Sequence, residues 1–195
     1  MPSDKNDLVQ RVAICKPDDT VRGFLFKSVY TLVEQRVGSS GTDRMLQQLR
    51  INKMPVDFFS YPAADFLRML YTAADVLEPH YASVEDAIRA CGGATVTGFF
   101  KSYVGNTLMR LVGIGDPKRV FASVDTIYST LVSYGKRTSE DLGDKRLRLH
   151  YRGDMQPIAF HEGALREALV VLRGNGTAKG TAVALNYGQY VLEWT

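Results

Sequence analysis

Between residues 116 and 152 the spacing of apolar positions changes from that of a helix to that of a strand. Val120, Val124, Ile127 and Leu131 recur at helical intervals, and Phe121 and Tyr128 widen the stripe. Asp116 followed by Pro117 is an N-cap with proline at the first helical position, where its missing N–H costs nothing. Together they predict a helix over 117–133. Beyond Gly143 the period falls to two: Leu147, Leu149 and Tyr151 alternate with Arg146, Arg148, His150 and Arg152, which predicts a strand with one apolar and one basic face.

The remaining pattern is mostly helical before this stretch and mixed after it. Residues 2–7 read as a frayed end, and Val9, Val12 and Ile14 as a short strand stopped by Pro17. Thr20 caps a predicted helix reaching Val37, after which Gly38 and Gly41 start a turn and Thr42 or Asp43 a short helix with Met45, Leu46 and Leu49. Phe58, Phe59 and Tyr61 are expected to tuck inward before Pro62 opens a helix that Pro79 ends. Ser83 and Asp86 form a capping box for a brief helix expected to stop at Gly92 and Gly93. Over 94–112, Phe99, Phe100, Tyr103, Leu108 and Leu111 share one face of a helix, with Gly98 and Gly105 placed for close approach of a backbone or ligand. A helix over 161–173, with Glu162 and Arg166 as an i, i+4 pair, precedes two strands at 181–185 and 190–194 around Asn186, Tyr187 and Gly188. The order implies a single α+β domain over 1–195. An N-terminal arm or strand occupies 1–19, a mainly helical part 20–134, and a β-α-β-β part with a small antiparallel sheet 144–195.

Composition narrows the class without naming an activity. With 195 residues and 45% hydrophobic content the chain can bury a real core. A net charge of +3 from 24 basic and 21 acidic residues does not point to nucleic acid, so a basic patch must be local. Cys15 and Cys91 form no disulfide framework, which fits a reducing compartment. The segment MPSDKNDLVQ lacks an apolar leader and no stretch is long and apolar enough to span a membrane, so a cytoplasmic location is expected.

None of the histidines, His80, His150 and His161, has a partner at metal-ligand spacing, and each is expected to be structural or superficial. No nucleophile elbow, phosphate loop or dinucleotide fingerprint occurs; the loop at Gly113, Gly115 and Asp116 is weak evidence for anion binding. The chain is therefore not expected to be an enzyme. Two features remain. Phe99, Phe100, Tyr103, Val124, Ile127, Tyr128, Leu131 and Tyr151 either line a pocket for an apolar small molecule or simply make core. Arg146, Arg148, His150 and Arg152 are either a solvated face or a surface for an anion or protein partner. A homodimer could use that face or the hairpin edge at 189–195.

Helix, loop, LRLHYRG, helix and terminal hairpin together resemble the haem nitric-oxide-binding family and its vinyl-reductase-like relative, over most of the chain from Gly23 to Trp194. VRGFLFKSVY and the terminal YVLEW resemble an uncharacterised family of small myxobacterial proteins. The first resemblance implies a ligand-sensing fold, and the departures from it imply loss of the cofactor. That family carries a proximal histidine on the helix before the LHY strand, and none occurs from Asp116 to Tyr134. Its Tyr-x-Ser-x-Arg propionate clamp begins at Tyr151 but continues with Gly153 and Met155. No haem is therefore expected.

Overall fold

Two hydrophobic cores succeed one another along the chain. The computed structural model describes residues 5–102, 105, 107, 116–172 and 174–195. The first core is helical: α1 (Lys5–Ala13), α2 (Gly23–Val37), α3 (Ser39–Leu49), α4 (Ala63–Leu77) and α5 (Val84–Lys101) enclose Phe26, Val29, Met45, Phe66, Leu70 and Cys91. Helix α4 is apolar almost all round, from Phe66 to Leu77, which is the composition of a helix surrounded by others. The side chain of Ser83 caps α5 by accepting from Asp86 N at 3.1 Å, as the capping box predicts. A short antiparallel ribbon, β1 (Thr20–Arg22) with β2 (Ser60–Pro62), pairs Val21 with Tyr61 and ties the starts of α2 and α4 together.

The second core lies on a four-stranded antiparallel sheet of β3 (Lys136–Asp141), β4 (Arg146–Arg152), β5 (Gly176–Ala184) and β6 (Tyr187–Trp194), in the order β3-β4-β6-β5. Helices α6 (Pro117–Ala122), α7 (Val124–Ser129) and α8 (Ile158–Val171) cover one face. Val120, Phe121, Val124, Leu165 and Leu169 meet Leu147, Leu149, Tyr151, Tyr190 and Leu192 there. The alternation in 146–152 is realised: Leu147, Leu149 and Tyr151 are buried, while Arg146 and Arg152 are exposed. Gly143, at φ +108°, turns β3 into β4 in a conformation that side chains disfavour. The fold is α+β, a helical N-terminal part packed with a small antiparallel sheet and a β-α-β-β C-terminal order preceded by one further strand.

Several expectations are corrected. The N-terminal strand is a helix, α1, outside the sheet: Leu8 and Val12, four apart, pack on the helical core while Val9 stays 65% exposed. Thr20 begins a strand and not a helix. The break expected at Gly92 and Gly93 is absent, and α5 runs through both. The glycines there serve a helix crossing. A Cβ on Gly92 would lie 1.9 Å from the Phe160 carbonyl oxygen, and one on Gly163 would lie 1.8 Å from that of Arg89, so α5 and α8 meet backbone to backbone. The predicted helix over 117–133 is split at Ser123 into α6 and α7. Glu140 and Asp141, read as loop, lie in β3, whose polar sequence hides it from hydrophobic pattern. Strand β6 lies inside the sheet, so 189–195 is no free edge; the edges are β3 and β5. Phe58 and Phe59 are exposed rather than tucked inward. The distal part of the helix predicted over 94–112, with Tyr103, and the Gly113 and Gly115 loop lie outside the described residues, as does Arg173. Among the described residues no helix is long and apolar enough to cross a membrane.

Candidate functional site

Where the two cores abut, their side chains leave a cavity of about 90 Å³. Phe24, Leu25, Thr95, Val96 and Phe99 reach it from the helical core; Val120, Phe121, Val124, Ile127, Leu165 and Tyr151 reach it from the sheet side. The structure brings Phe99, Phe100, Val124, Ile127, Tyr128, Leu131 and Tyr151 together around this one space. Tyr103, grouped with them by sequence, lies outside the described residues. Such a void persists because α5, α7 and α8 are each fixed by packing elsewhere, α5 and α8 by the glycine crossing, and cannot collapse into it.

Behind the cavity a polar network is buried among aromatic rings. His161 donates from Nε2 to Asp154 Oδ1 at 2.9 Å, and its Nδ1 lies 3.2 Å from the Tyr128 hydroxyl. With Nε2–H given to the carboxylate, Nδ1 is left facing the Tyr128 hydroxyl. Asp154 also accepts from Arg137, whose guanidinium donates to the Tyr134 carbonyl and lies 4.7 Å from the centroid of the Tyr128 ring. The Gln156 amide donates to the Tyr134 hydroxyl, and Asp125 Oδ1 accepts from Arg137 N at 2.8 Å. Arg137, Asp154 and His161 are each at most 4% exposed. Burial alone would raise the Asp154 carboxyl, but His161 and Arg137 outweigh it and hold the group well below the usual carboxylate range. Burial pushes the Tyr128 phenol up to about 12. Burial, and next the neighbouring Tyr128 hydroxyl, hold Tyr151 well above the ordinary phenol range. Among the described residues, Arg137 Nε and the Tyr151 hydroxyl are the buried side-chain polar atoms without a partner of hydrogen-bonding geometry.

The basic face of β4 is matched within its own sheet. Arg146 pairs with Glu193 of β6 at 2.8 Å, and Arg148 with Glu140 of β3 at 2.9 Å. Arg152 lies 4.6 Å from the Tyr187 ring centroid, whose hydroxyl also meets His150 at 2.9 Å. These are cross-strand pairs on an outer face, worth ~0–1 kcal/mol each. His80 sits in a 3₁₀ turn, Glu78–His80. Among the described residues no three His, Cys, Asp or Glu side chains converge as a metal site. A larger open groove, about 980 Å³, runs between α2, α5 and α8, with walls of both charges: Arg89, for example, meets Glu162 at 2.8 Å.

Sequence reasoning missed Arg137, Asp154 and Gln156. Arg137 is the sole inward position of a strand with no apolar residue, so periodicity could not find it. The available signal was Asp154 in the segment where the resemblance already fails, between Gly153 and Met155. Glu162, expected to pair with Arg166, turns instead to Arg89 and to Gly180 N at 2.8 Å.

The architecture is that of an H-NOX-like domain. It superposes on the Fe(II) unliganded H-NOX protein from K. algicida with a TM-score of 0.70 at 15% identity, covering 89% of this chain and 96% of that one. The S. oneidensis H-NOX protein in its Fe(II)NO state gives 0.70 at 13% identity, with 89% and 99% covered. An oxygen-binding H-NOX domain related to soluble guanylate cyclases gives 0.67 at 8%, with 89% and 95% covered. Residues 15–195 match the family described as "Protein of unknown function (DUF2378)", and the chain belongs to that family. No curated protein matches it in sequence. At these identities the solved structures establish the fold alone.

Proposed function

We propose that this chain is a non-enzymatic sensor domain that has kept the H-NOX-like architecture, lacks haem, and holds a small apolar molecule between its two cores. The observation that carries the proposal is the cavity at the seam, lined on both sides by apolar and aromatic side chains and backed by a buried polar network. Haem does not fit the residues present. Of the three histidines in the chain, His161 alone lines the cavity, and both its ring nitrogens are engaged. Gly153 and Met155 stand where a propionate clamp would need Ser and Arg. A void of about 90 Å³ is also well below the ~300–1,000 Å³ of pockets that take drug-sized ligands. Asp154 is already spent on His161 and Arg137.

Two measurements test this. Protein purified from cells supplied with a haem precursor is expected to show no Soret absorption; a stoichiometric Soret band would sink the haem-less reading. Xenon, which enters dry apolar cavities, is expected to shift methyl resonances of Ile127 and Leu165 in NMR spectra. Ile127→Trp should abolish that shift while costing about 1–3 kcal/mol of stability if the indole overfills the space.

A further inference from the structure

Every polar group that lines the cavity is spent inside the protein except one. The Thr95 hydroxyl donates to the Gly92 carbonyl at 2.7 Å, Tyr128 and His161 are bonded to each other, and the Gln156 amide donates to Tyr134. The Tyr151 hydroxyl, fully buried, lies beside the Tyr128 hydroxyl but makes no contact of hydrogen-bonding geometry among the described residues. A buried donor left unmade is costly. Burial keeps the phenol protonated across the working pH range, so it can only gain from an acceptor.

On the reading of the cavity as a binding site, we propose that its ligand is a compact, uncharged organic molecule with one oxygen acceptor, a small ketone, ester or alcohol, anchored by a hydrogen bond from Tyr151. The apolar remainder lies against Phe99, Ile127 and Leu165. The ligand is uncharged because the nearby cation, Arg137, is already paired with Asp154, and a carboxylate brought into the cavity would be desolvated without a counter-charge. It is compact because a cavity of about 150 Å³ is filled by benzene, with its six non-hydrogen atoms, so about 90 Å³ suits about three or four.

Acetone and its methylene analogue isobutene, in which a methylene replaces the carbonyl oxygen, match in shape and differ in the acceptor. Both are titrated by NMR into the full chain and into Tyr151→Phe, with xenon as the shape control. Expected are binding of both probes to the wild type, an affinity for the ketone about tenfold weaker in the variant, and an unchanged or higher affinity for the methylene analogue. The ligand-free variant should melt no lower than the wild type, since it loses only an unpaired hydroxyl. Equal response of the two probes to the substitution, with xenon still bound, overturns the anchor and leaves the cavity reading standing. Absence of xenon binding overturns both. A marked fall in the melting temperature of ligand-free Tyr151→Phe shows the hydroxyl to be spent within the fold and also overturns the anchor.

Discussion

Asp154 is one buried carboxylate serving three partners, Arg137, His161 and the Gln156 backbone N–H. With its pKa depressed in the folded state, it contributes stability that is complete above its unfolded value near ~4 and is lost as pH falls below that. Acid unfolding should therefore steepen below about pH 4, and Asp154→Asn should flatten that limb. At neutral pH the same substitution leaves Arg137 buried without a counter-charge and is expected to cost about 3–5 kcal/mol by urea denaturation. Arg148 and Glu140, an exposed pair on the outer face of the sheet, should contribute little when either is truncated. Arg137 and Asp154 are polar residues in polar surroundings of sequence, and only the sheet brings them within reach of His161. That is why the residues behind the cavity escaped a reading that found seven of the twenty lining it.

At the scale of elements, the crossing of α5 and α8 decides whether the cavity exists at all. Gly92→Ala places a methyl group against the Phe160 carbonyl, forces the helices apart and is expected to cost about 3 kcal/mol or more. Gly93→Ala, whose Cβ meets nothing nearer than 3.7 Å, should be neutral or stabilise by up to about 1 kcal/mol through helix propensity. Thermal melts of the two variants separate a contact effect from a backbone effect at adjacent positions. Both glycines looked alike in sequence, where two in succession suggest a helix end. What distinguishes them is a partner seventy residues away, which no local pattern records. By contrast the caps at Ser83 and Asp116, the alternation of β4 and the apolar girth of α4 depend on neighbours in the chain, and these features were legible. Strand β3 was not, since its inward face consists of Arg137.

For the whole molecule, the two cores are joined by α8, whose Ala159 and Phe160 pack in the helical core and whose Leu165 and Leu169 pack on the sheet. The order of elements was sufficient to place the chain near the H-NOX-like architecture, because topology is carried by the sequence of helices, turns and strands rather than by identities. The chemistry of the seam diverged independently of that order. At the seam, His161 and Arg137 are held by Asp154.

The seam also makes the protein compressible. A void of about 90 Å³ corresponds to on the order of 50 mL/mol, a large share of the ~20–100 mL/mol by which proteins shrink on unfolding. Hydrostatic pressure should thus unfold the free chain readily, and either a molecule seated in the cavity or the indole of Ile127→Trp should blunt that response. High-pressure fluorescence of the Trp194 region would follow it: an unfolding volume that ignores both would mean the seam closes on its own in solution.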